Sequence, residues 1–148
     1  MSLIQDNNIN IQQAVPFFWV TNIEASMPYY VNGLGFTITN RWVDDGKTRW
    51  CWLQRDSAAL MLQELQIDVH HVDVPSEKKR TGVSVYFICK DALALYREFV
   101  SKNVVVTKPF VGNGMWVISL RDPDGYDLHF ESSTDVSEET LYVEEEHS

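Results

Sequence analysis

Residues 122–130, DPDGYDLHF, are the stretch that decides the fold. Asp-Pro begins a turn, Asp-Gly tolerates positive backbone φ angles, and apolar residues then alternate with polar ones as in a β-strand. Such a turn is common by itself. It becomes specific when it precedes the last strand of a chain whose two halves repeat the same order of elements.

The second half of the chain predicts the order β, α, β, β, β. Asp91 is the expected N-cap of its helix, and Asn103 is expected to end that helix. The predicted strands of this half are Val83–Cys89, Val104–Thr107, Trp116–Arg121 and Asp127–Glu131.

The first half predicts the same order of elements. Asn22 and Ser26 are both candidates for the helix N-cap, and Ser26 is favoured because it leaves Pro28 in the first turn, where proline is tolerated. Residues 32–35 accept left-handed backbone angles and are expected to end the helix. The predicted strands of this half are Ala14–Thr21, Phe36–Val43, Thr48–Gln54 and Ala58–Glu64.

This repeat predicts a single α+β domain over residues 14–132. A first βαβββ module covers residues 14–64 and a second covers residues 83–132. The strands are expected to form a cupped mixed sheet that holds a ligand, with each helix on the convex face.

The charge of the chain limits its partners. The formal net charge is −9, and five of the acidic residues are glutamates in an acidic tail at residues 133–148, which is expected to be a solvated, mobile end. The remaining −4 still disfavours phosphate backbones and anionic membranes, so neither a nucleic acid nor a membrane is an expected partner. One basic cluster, Lys78-Lys79-Arg80, lies in the predicted linker at residues 65–82.

Several common chemistries lack support in the sequence. No apolar run is long enough to span a membrane, and residues 1–13 lack the regions of a signal peptide, so the cytoplasm is the expected location. Cys51 and Cys89 are expected to be buried structural thiols, and neither has a histidine beside it in sequence. Gly-x-Ser-x-Gly and Gly-x-x-x-x-Gly-Lys motifs are absent, which leaves serine and phosphate chemistry unsupported.

Four short motifs together resemble the vicinal oxygen chelate superfamily, which includes glyoxalases, bleomycin resistance proteins and extradiol dioxygenases. They are DPDGY at 122–126, VTNIEAS at 20–26, Tyr29-Tyr30 and GLGF at 33–36. The resemblance covers residues 15–132 and implies the glyoxalase/bleomycin resistance fold. Asn22 stands where this family usually has Asp, which keeps the capping oxygen but removes a charge.

The resemblance also implies where a metal would be held. Enzymes of this superfamily bind a divalent ion through His and Glu side chains, and the matching positions here are Val15, Met61, Ser84 and His129. Only His129 is a suitable ligand, because catalytic sites need about three protein ligands and valine and methionine do not bind hard or borderline divalent ions. We therefore expect no metal cofactor, and the usual metal-dependent chemistry is disfavoured.

The period-2 alternation of strands predicts which side chains line the cup. If the first metal position faces the cup, its lining is apolar and aromatic with a few polar ends, as in pockets for organic ligands. His129 is either a polar group that grips the ligand or a half-exposed histidine paired with a neighbouring carboxylate. For any single tryptophan, the alternative is packing in the core. The sequence does not decide which face of their strand Trp50 and Trp52 occupy. The candidate ligand-binding residues are Phe17, Trp19, Trp50, Trp52, Met61, Gln63, Ser84, Tyr86, Trp116, His129 and Glu131.

The favoured interpretation is a metal-free, homodimeric protein that binds a hydrophobic, aromatic or cationic small molecule. The resemblance is strongest to the bleomycin-resistance branch, whose members sequester a cationic antibiotic in grooves at a dimer interface. The alternative is a lyase, isomerase or dioxygenase of the same superfamily with a rearranged metal site drawn from His129, Glu131, Glu64 or His71. His70 and His71 could also belong to a metal site, but their spacing matches no recognisable metal motif. A third hypothesis is an interaction module whose cup is filled by its own side chains.

Overall fold

The computed structural model describes residues 8–65 and 82–144, and it confirms the α+β fold with two βαβββ modules. Each module contributes one helix, and between them they contribute eight strands. In the first module the elements are β1 (Phe17–Val20), α1 (Ile23–Pro28), a π-helical turn (Tyr29–Gly33), β2 (Thr37–Asp44), β3 (Lys47–Arg55) and β4 (Ala58–Glu64). In the second they are β5 (Ser84–Ile88), α2 (Ala92–Ser101), β6 (Phe110–Gly112), β7 (Met115–Arg121) and β8 (Asp127–Ser133).

The eight strands form two four-stranded sheets with the same order. Sheet A runs β1-β4-β3-β2 and sheet B runs β5-β8-β7-β6. In each sheet the first strand of the module pairs parallel with the last, and the remaining pairs are antiparallel. Each mixed sheet therefore places the first strand of its module at an edge.

The start of α1 differs from the prediction. Asn22, and not Ser26, is the N-cap, and its side-chain oxygen accepts hydrogen bonds from the backbone N–H groups of Glu24 and Ala25. Pro28 is the last residue of α1, where the backbone widens into the π-helical turn. Pro28 has no N–H to donate to the preceding turn of α1, and the π-helical turn follows it directly. In the second module Asp91 caps α2 as predicted.

One predicted strand of the second module is wrong. Residues 104–107 form no β-ladder, and the edge strand of sheet B is β6, which pairs with β7. Val104 and Val106 instead pack partly buried against the core, so the β-branched run reflects burial and not strand pairing. Thr107 makes the local contact with β7, donating its backbone N–H to the Ser119 carbonyl at 2.9 Å.

Both modules share one hydrophobic core on the side of the sheets that carries the helices. Alternate residues of each strand point into it, such as Phe18 and Leu62 of sheet A and Phe130 of sheet B. Phe36 of the first module contacts Phe87 of the second with their ring centroids 6.0 Å apart. Burial of this apolar face holds the modules together as one unit.

The DPDGY turn fastens the second module to the first, and we call these contacts the inter-module clamp. Asp122 is buried, and its carboxylate accepts a hydrogen bond from the Tyr30 hydroxyl at 2.7 Å and from two backbone N–H groups of its own turn. Asp124 accepts from the backbone and the hydroxyl of Thr21, and the Tyr126 ring stacks on Phe18 at 4.0 Å. The motif that decides the fold is thus also a tertiary contact between the modules.

The acidic tail is docked over much of its length, contrary to the expectation of a solvated end. Its residues hydrogen-bond along β6: the Val111 N–H donates to Thr140, and the Tyr142 N–H donates to Pro109. Glu138 accepts hydrogen bonds from the backbone N–H groups of residues 113 and 114. The tail covers the exposed edge that a terminal strand otherwise leaves unpaired.

Residues 66–81 lie outside the described part of the chain, and so do His70, His71 and the cluster Lys78-Lys79-Arg80. In the described ranges, neither helix has the length and apolarity that crossing a membrane requires.

Candidate functional site

The strand register of sheet A answers which face Trp50 and Trp52 occupy. Residues paired across strands point to the same side of a sheet, and Trp50 pairs with Gln63 while Trp52 pairs with Met61. Gln63 and Met61 in turn pair with Trp19 and Phe17 of β1. All of these side chains lie opposite the helix-bearing face, and we call this surface the open face of sheet A. Trp42 joins it through its pairing with Trp50.

A cavity of about 1190 Å³ lies where β1 and β5, the edge strands of the two sheets, come together. Phe17, Trp19 and Trp42 contribute aromatic side chains from the first module, with 42%, 45% and 49% of their surface exposed. Tyr86 contributes another from β5. The cavity is lined by Ala14, Val15, Pro16, Phe17, Phe18, Trp19, Trp42, Gln63, Leu65, Val83, Ser84, Val85, Tyr86 and Tyr126.

The polar part of the site lies on the open face of sheet B, defined by Ser84, Tyr86 and the residues paired with them. Tyr86 pairs with His129 of β8, and His129 pairs with Ser119 of β7. The His129 ring stacks on the Tyr86 ring with centroids 4.4 Å apart and planes 17° apart. Its Nδ1 is 2.7 Å from the Ser119 hydroxyl oxygen, so the histidine is paired with a serine and not with a neighbouring carboxylate.

The charged groups of sheet B flank His129 on the same strand. Asp127 accepts a hydrogen bond from the Arg121 Nε at 3.0 Å, which leaves its carboxylate compensated. Glu131 lies on the same face through its pairing with Val117 and Ile88. The open face of sheet B is therefore polar where the open face of sheet A is aromatic.

Glu64 points away from this site. It follows Gln63 in β4, so it lies on the helix-bearing face, where it is buried and forms an ion pair with Lys47 at 3.1 Å. Glu64 and His129 thus do not converge, and His71 lies outside the described residues. The described residues therefore do not form the rearranged metal site that the sequence offered as an alternative.

The positions that hold a metal in related enzymes do not fit one here. Val15 and Ser84 line the cavity, Met61 lies beside Phe17, and His129 lies beside Tyr86 on the open face of sheet B. One imidazole, one hydroxyl, one thioether and one alkyl group do not provide the ligands of a divalent ion. Across residues 8–65 and 82–144, no three His, Cys, Asp or Glu side chains lie close enough to share an ion.

The two cysteines are free thiols. Cys51 is buried in the core of the first module, and burial raises the pKa of its thiol to about 11. Cys89 is half-buried, and burial also raises the pKa of its thiol. Both thiols are therefore held in their unreactive, protonated form at neutral pH.

The structure brings together five of the candidate ligand-binding residues around the cavity: Phe17, Trp19, Gln63, Ser84 and Tyr86. Trp50, Trp52 and Met61 lie further along the open face of sheet A, and the Trp52 indole N–H is already bound to the Gln54 side chain at 3.0 Å. His129 and Glu131 lie on the open face of sheet B.

Trp116 is on the helix-bearing face, next to the ring of Tyr142, which makes it a packing residue. The position is explained by register: Val117 pairs with Glu131, so Trp116 points to the opposite side.

Trp42 and Ser119 are the residues missed by sequence reasoning that bear most on the ligand. Trp42 sits between two register irregularities of β2, which interrupt the period-2 alternation that could have revealed its face. Ser119 could have been found from its alternation with Arg121 and Val117, once the pairing of β7 with β8 was assumed.

A comparison with models of protein families covers almost the whole domain. The model of the glyoxalase/bleomycin resistance protein/dioxygenase superfamily matches residues 11–130. The chain belongs to this superfamily. A search of curated protein sequences found no match.

Several solved structures have a similar fold. The bleomycin-binding protein of Streptomyces verticillus, complexed with copper(II)-bleomycin, is 19% identical, covers 82% of this chain and 96% of its own, and superposes with a TM-score of 0.63. TnmS3, an antibiotic-binding protein from Streptomyces sp. CB03234, is 17% identical over 85% of this chain and 100% of its own, with a TM-score of 0.60. A bleomycin resistance determinant encoded on the transposon Tn5 is 20% identical over 85% of this chain and 100% of its own, with a TM-score of 0.62. At these identities the likeness establishes the fold alone.

Proposed function

We propose that this chain is a metal-free binding protein that sequesters a hydrophobic, aromatic small molecule in the cavity between β1 and β5. The observation that carries the proposal is the cavity itself, with a volume of about 1190 Å³ and aromatic side chains on both sides. Ligand pockets typically have volumes of roughly 300–1,000 Å³, so this one suits a large organic molecule. The fold's similarity to antibiotic-binding proteins supports the same class of function.

The lining also narrows the chemistry of the ligand. Among residues 8–65 and 82–144, none of those around the cavity carries a formal charge. Within this described lining, a cation is therefore held by the faces of Trp19, Trp42 and Tyr86, and not by an ion pair. The net charge of −9 favours a cationic ligand over an anionic one at a distance.

A second copy of the chain is part of this proposal. Large apolar side chains remain exposed on the open face of sheet B, including Tyr86 at 53% and Ile88 at 70%, which are alternate residues of β5. Contiguous apolar surface of this kind typically marks an interface, and a homodimer would cover it and deepen the cavity. Sedimentation analysis of the purified chain should give a dimer; a monomer at all concentrations would remove the second copy from the proposal.

Two measurements on the same preparation test the function. Protein purified without chelators or a histidine tag should contain far less than one metal ion per chain by elemental mass spectrometry. It should also bind 9-aminoacridine, a flat aromatic cation, with saturable quenching of tryptophan fluorescence and a matching heat of binding.

The outcomes separate the alternatives. Near-stoichiometric zinc, nickel, manganese or iron would contradict the metal-free proposal and favour a lyase or dioxygenase. A metal-free protein that binds neither 9-aminoacridine nor uncharged polycyclic aromatics would contradict sequestration.

A further inference from the structure

We propose that His129 is a hydrogen-bond donor to the ligand, held in that role by Ser119, and that the ligand carries an acceptor oxygen or nitrogen beside its aromatic rings. This inference rests on the proposed function and adds the polar half of the recognition. Ser119 is a positioning residue, because it acts on the ligand only through the His129 ring.

The His129 ring is fixed by two contacts. Tyr86, a wall of the cavity, stacks on one face of the ring at 4.4 Å, and the Ser119 hydroxyl lies 2.7 Å from Nδ1. The three residues are direct cross-strand neighbours on β5, β8 and β7. A ring held by a stacking partner and a hydrogen bond presents its remaining nitrogen in one direction.

Ser119 is itself held at its backbone. Its N–H donates to the Thr107 hydroxyl at 2.9 Å, and its carbonyl accepts from the Thr107 N–H at 2.9 Å. Within the described part of the chain, the Ser119 hydroxyl forms no other hydrogen bond than the one to His129. Among residues 8–65 and 82–144, the acceptor bonded to the Ser119 hydroxyl is therefore the His129 Nδ1.

The proton inventory then assigns the other nitrogen. When Nδ1 accepts from a hydroxyl, the neutral ring carries its proton on Nε2 and donates from there. Nε2 forms no hydrogen bond to residues 8–65 or 82–144, so it is available to a ligand. The neighbouring carboxylates do not compete for it, since Asp127 is bound to Arg121 and no contact joins Glu131 to the ring in those ranges.

An Nε2–H donor selects for a particular ligand. A carbonyl, ether or ring nitrogen at the edge of the aromatic system can accept from it, whereas a purely hydrocarbon ring cannot. A single hydrogen bond makes a modest net contribution to the free energy of binding. A molecule with the acceptor should therefore bind about 3- to 10-fold more tightly than the same ring system without it.

The first test measures the ring directly and needs no ligand. Long-range ¹H–¹⁵N spectra at about pH 8.5, where imidazoles in proteins are mostly neutral, should show His129 as the Nε2–H tautomer. The Ser119→Ala variant should shift its ring nitrogens toward a mixture of tautomers, and Ser119→Thr, which keeps the hydroxyl, should restore the native signals. A His129 ring in the Nδ1–H form, or shifts unchanged in Ser119→Ala, would overturn the assignment.

The second test measures recognition with fluorenone and fluorene, which share a ring system and differ by one carbonyl oxygen. The native protein should bind fluorenone about 3- to 10-fold more tightly than fluorene, and both Ser119→Ala and His129→Phe should reduce this ratio of affinities to about one. A preference that survives both substitutions would overturn the inference. Failure of both compounds to bind would instead contradict the proposed function, and the tautomer spectra would still decide the role of Ser119.

Discussion

The open face of sheet A and the open face of sheet B are built on the same strand order but carry different side chains. Sheet A presents Trp19, Trp42 and other aromatic residues, and the described residues that line the cavity carry no charge. Sheet B presents the Tyr86–His129–Ser119 row, flanked by carboxylates. The duplicated backbone therefore supplies two surfaces, one suited to stacking and one suited to hydrogen bonding.

The helix-bearing faces of the two modules are alike where the open faces differ. Both are apolar, and they merge into one core that contains Phe36 and Phe87 side by side. The inter-module clamp adds the polar contacts between Asp122 and Tyr30 and between Asp124 and Thr21. Divergence of the open faces is tolerated because the shared core and the clamp fix the relative position of the sheets.

The largest effect should follow from breaking the clamp with Asp122→Ala. This leaves the buried Tyr30 hydroxyl and two backbone N–H groups without their acceptor, which should lower the free energy of unfolding by about 3 kcal/mol. Urea denaturation followed by circular dichroism measures it, and the transition should remain single because the modules share one core.

Asp122→Asn is the matched control for that variant. The remaining side-chain oxygen of Asp122→Asn still accepts from the two backbone N–H groups. This variant should therefore lose clearly less of the free energy of unfolding than Asp122→Ala. Two separate unfolding transitions in either variant would contradict a shared core.

Removing an aromatic wall should have the next largest effect. Trp19→Ala should weaken binding of 9-aminoacridine by about 10-fold or more, since burial and stacking of such a ring contribute roughly 1–3 kcal/mol. Stability should change little, because Trp19 is 45% exposed and the Tyr126 hydroxyl donates to its backbone carbonyl, which the substitution retains.

Trp116→Phe serves as the control, because this tryptophan packs on Tyr142 on the helix-bearing face. Calorimetric titration should give native affinity for it. Equal losses in Trp19→Ala and Trp116→Phe would show that the open face is not the binding surface.

The smallest effect concerns the ion pair between the modules. Arg55 donates two hydrogen bonds to Glu98, at 2.7 and 2.9 Å, and these bonds and the charge of Arg55 hold the pKa of Glu98 below its ordinary value of 4.5. Glu98→Gln should therefore lower stability by about 0.5–1 kcal/mol at neutral pH.

The difference should depend on pH with a definite sign. A carboxyl whose pKa is lowered on folding contributes stability above its unfolded pKa and loses it as pH falls through the folded value. Unfolding measured from neutrality downward should thus show the native and Glu98→Gln proteins converging below pH 4.5. A difference that grows toward acid would contradict the ion-pair explanation.

Most of the fold could be predicted from the sequence, because its elements follow local rules. The strand Ala58–Glu64 was located with its observed bounds, and the Asp91 cap follows from its side chain. Errors arose where tertiary contacts overrode local patterns. Val104 and Val106 pack on the core without pairing as a strand, and Pro28 ends α1 and does not lie in its first turn, because Asn22 and not Ser26 is the N-cap.

The candidate site was harder to predict than the fold because it depends on pairing between distant strands. Alternation gave the correct side for Phe17, Trp19 and Tyr86 along single strands. It could not assign Trp116 to the opposite face, or join Ser119 to His129, without the register between β7 and β8.

The five tryptophans offer the most direct test of the central claim that the open faces bind the ligand. In ¹H–¹⁵N correlation spectra of the native protein titrated with 9-aminoacridine, the indole N–H signals of Trp19 and Trp42 should shift, because both side chains line the cavity. The Trp116 signal should stay in place, because that indole packs on the opposite face. Shifts confined to Trp116, with Trp19 and Trp42 unmoved, would contradict binding between the two open faces.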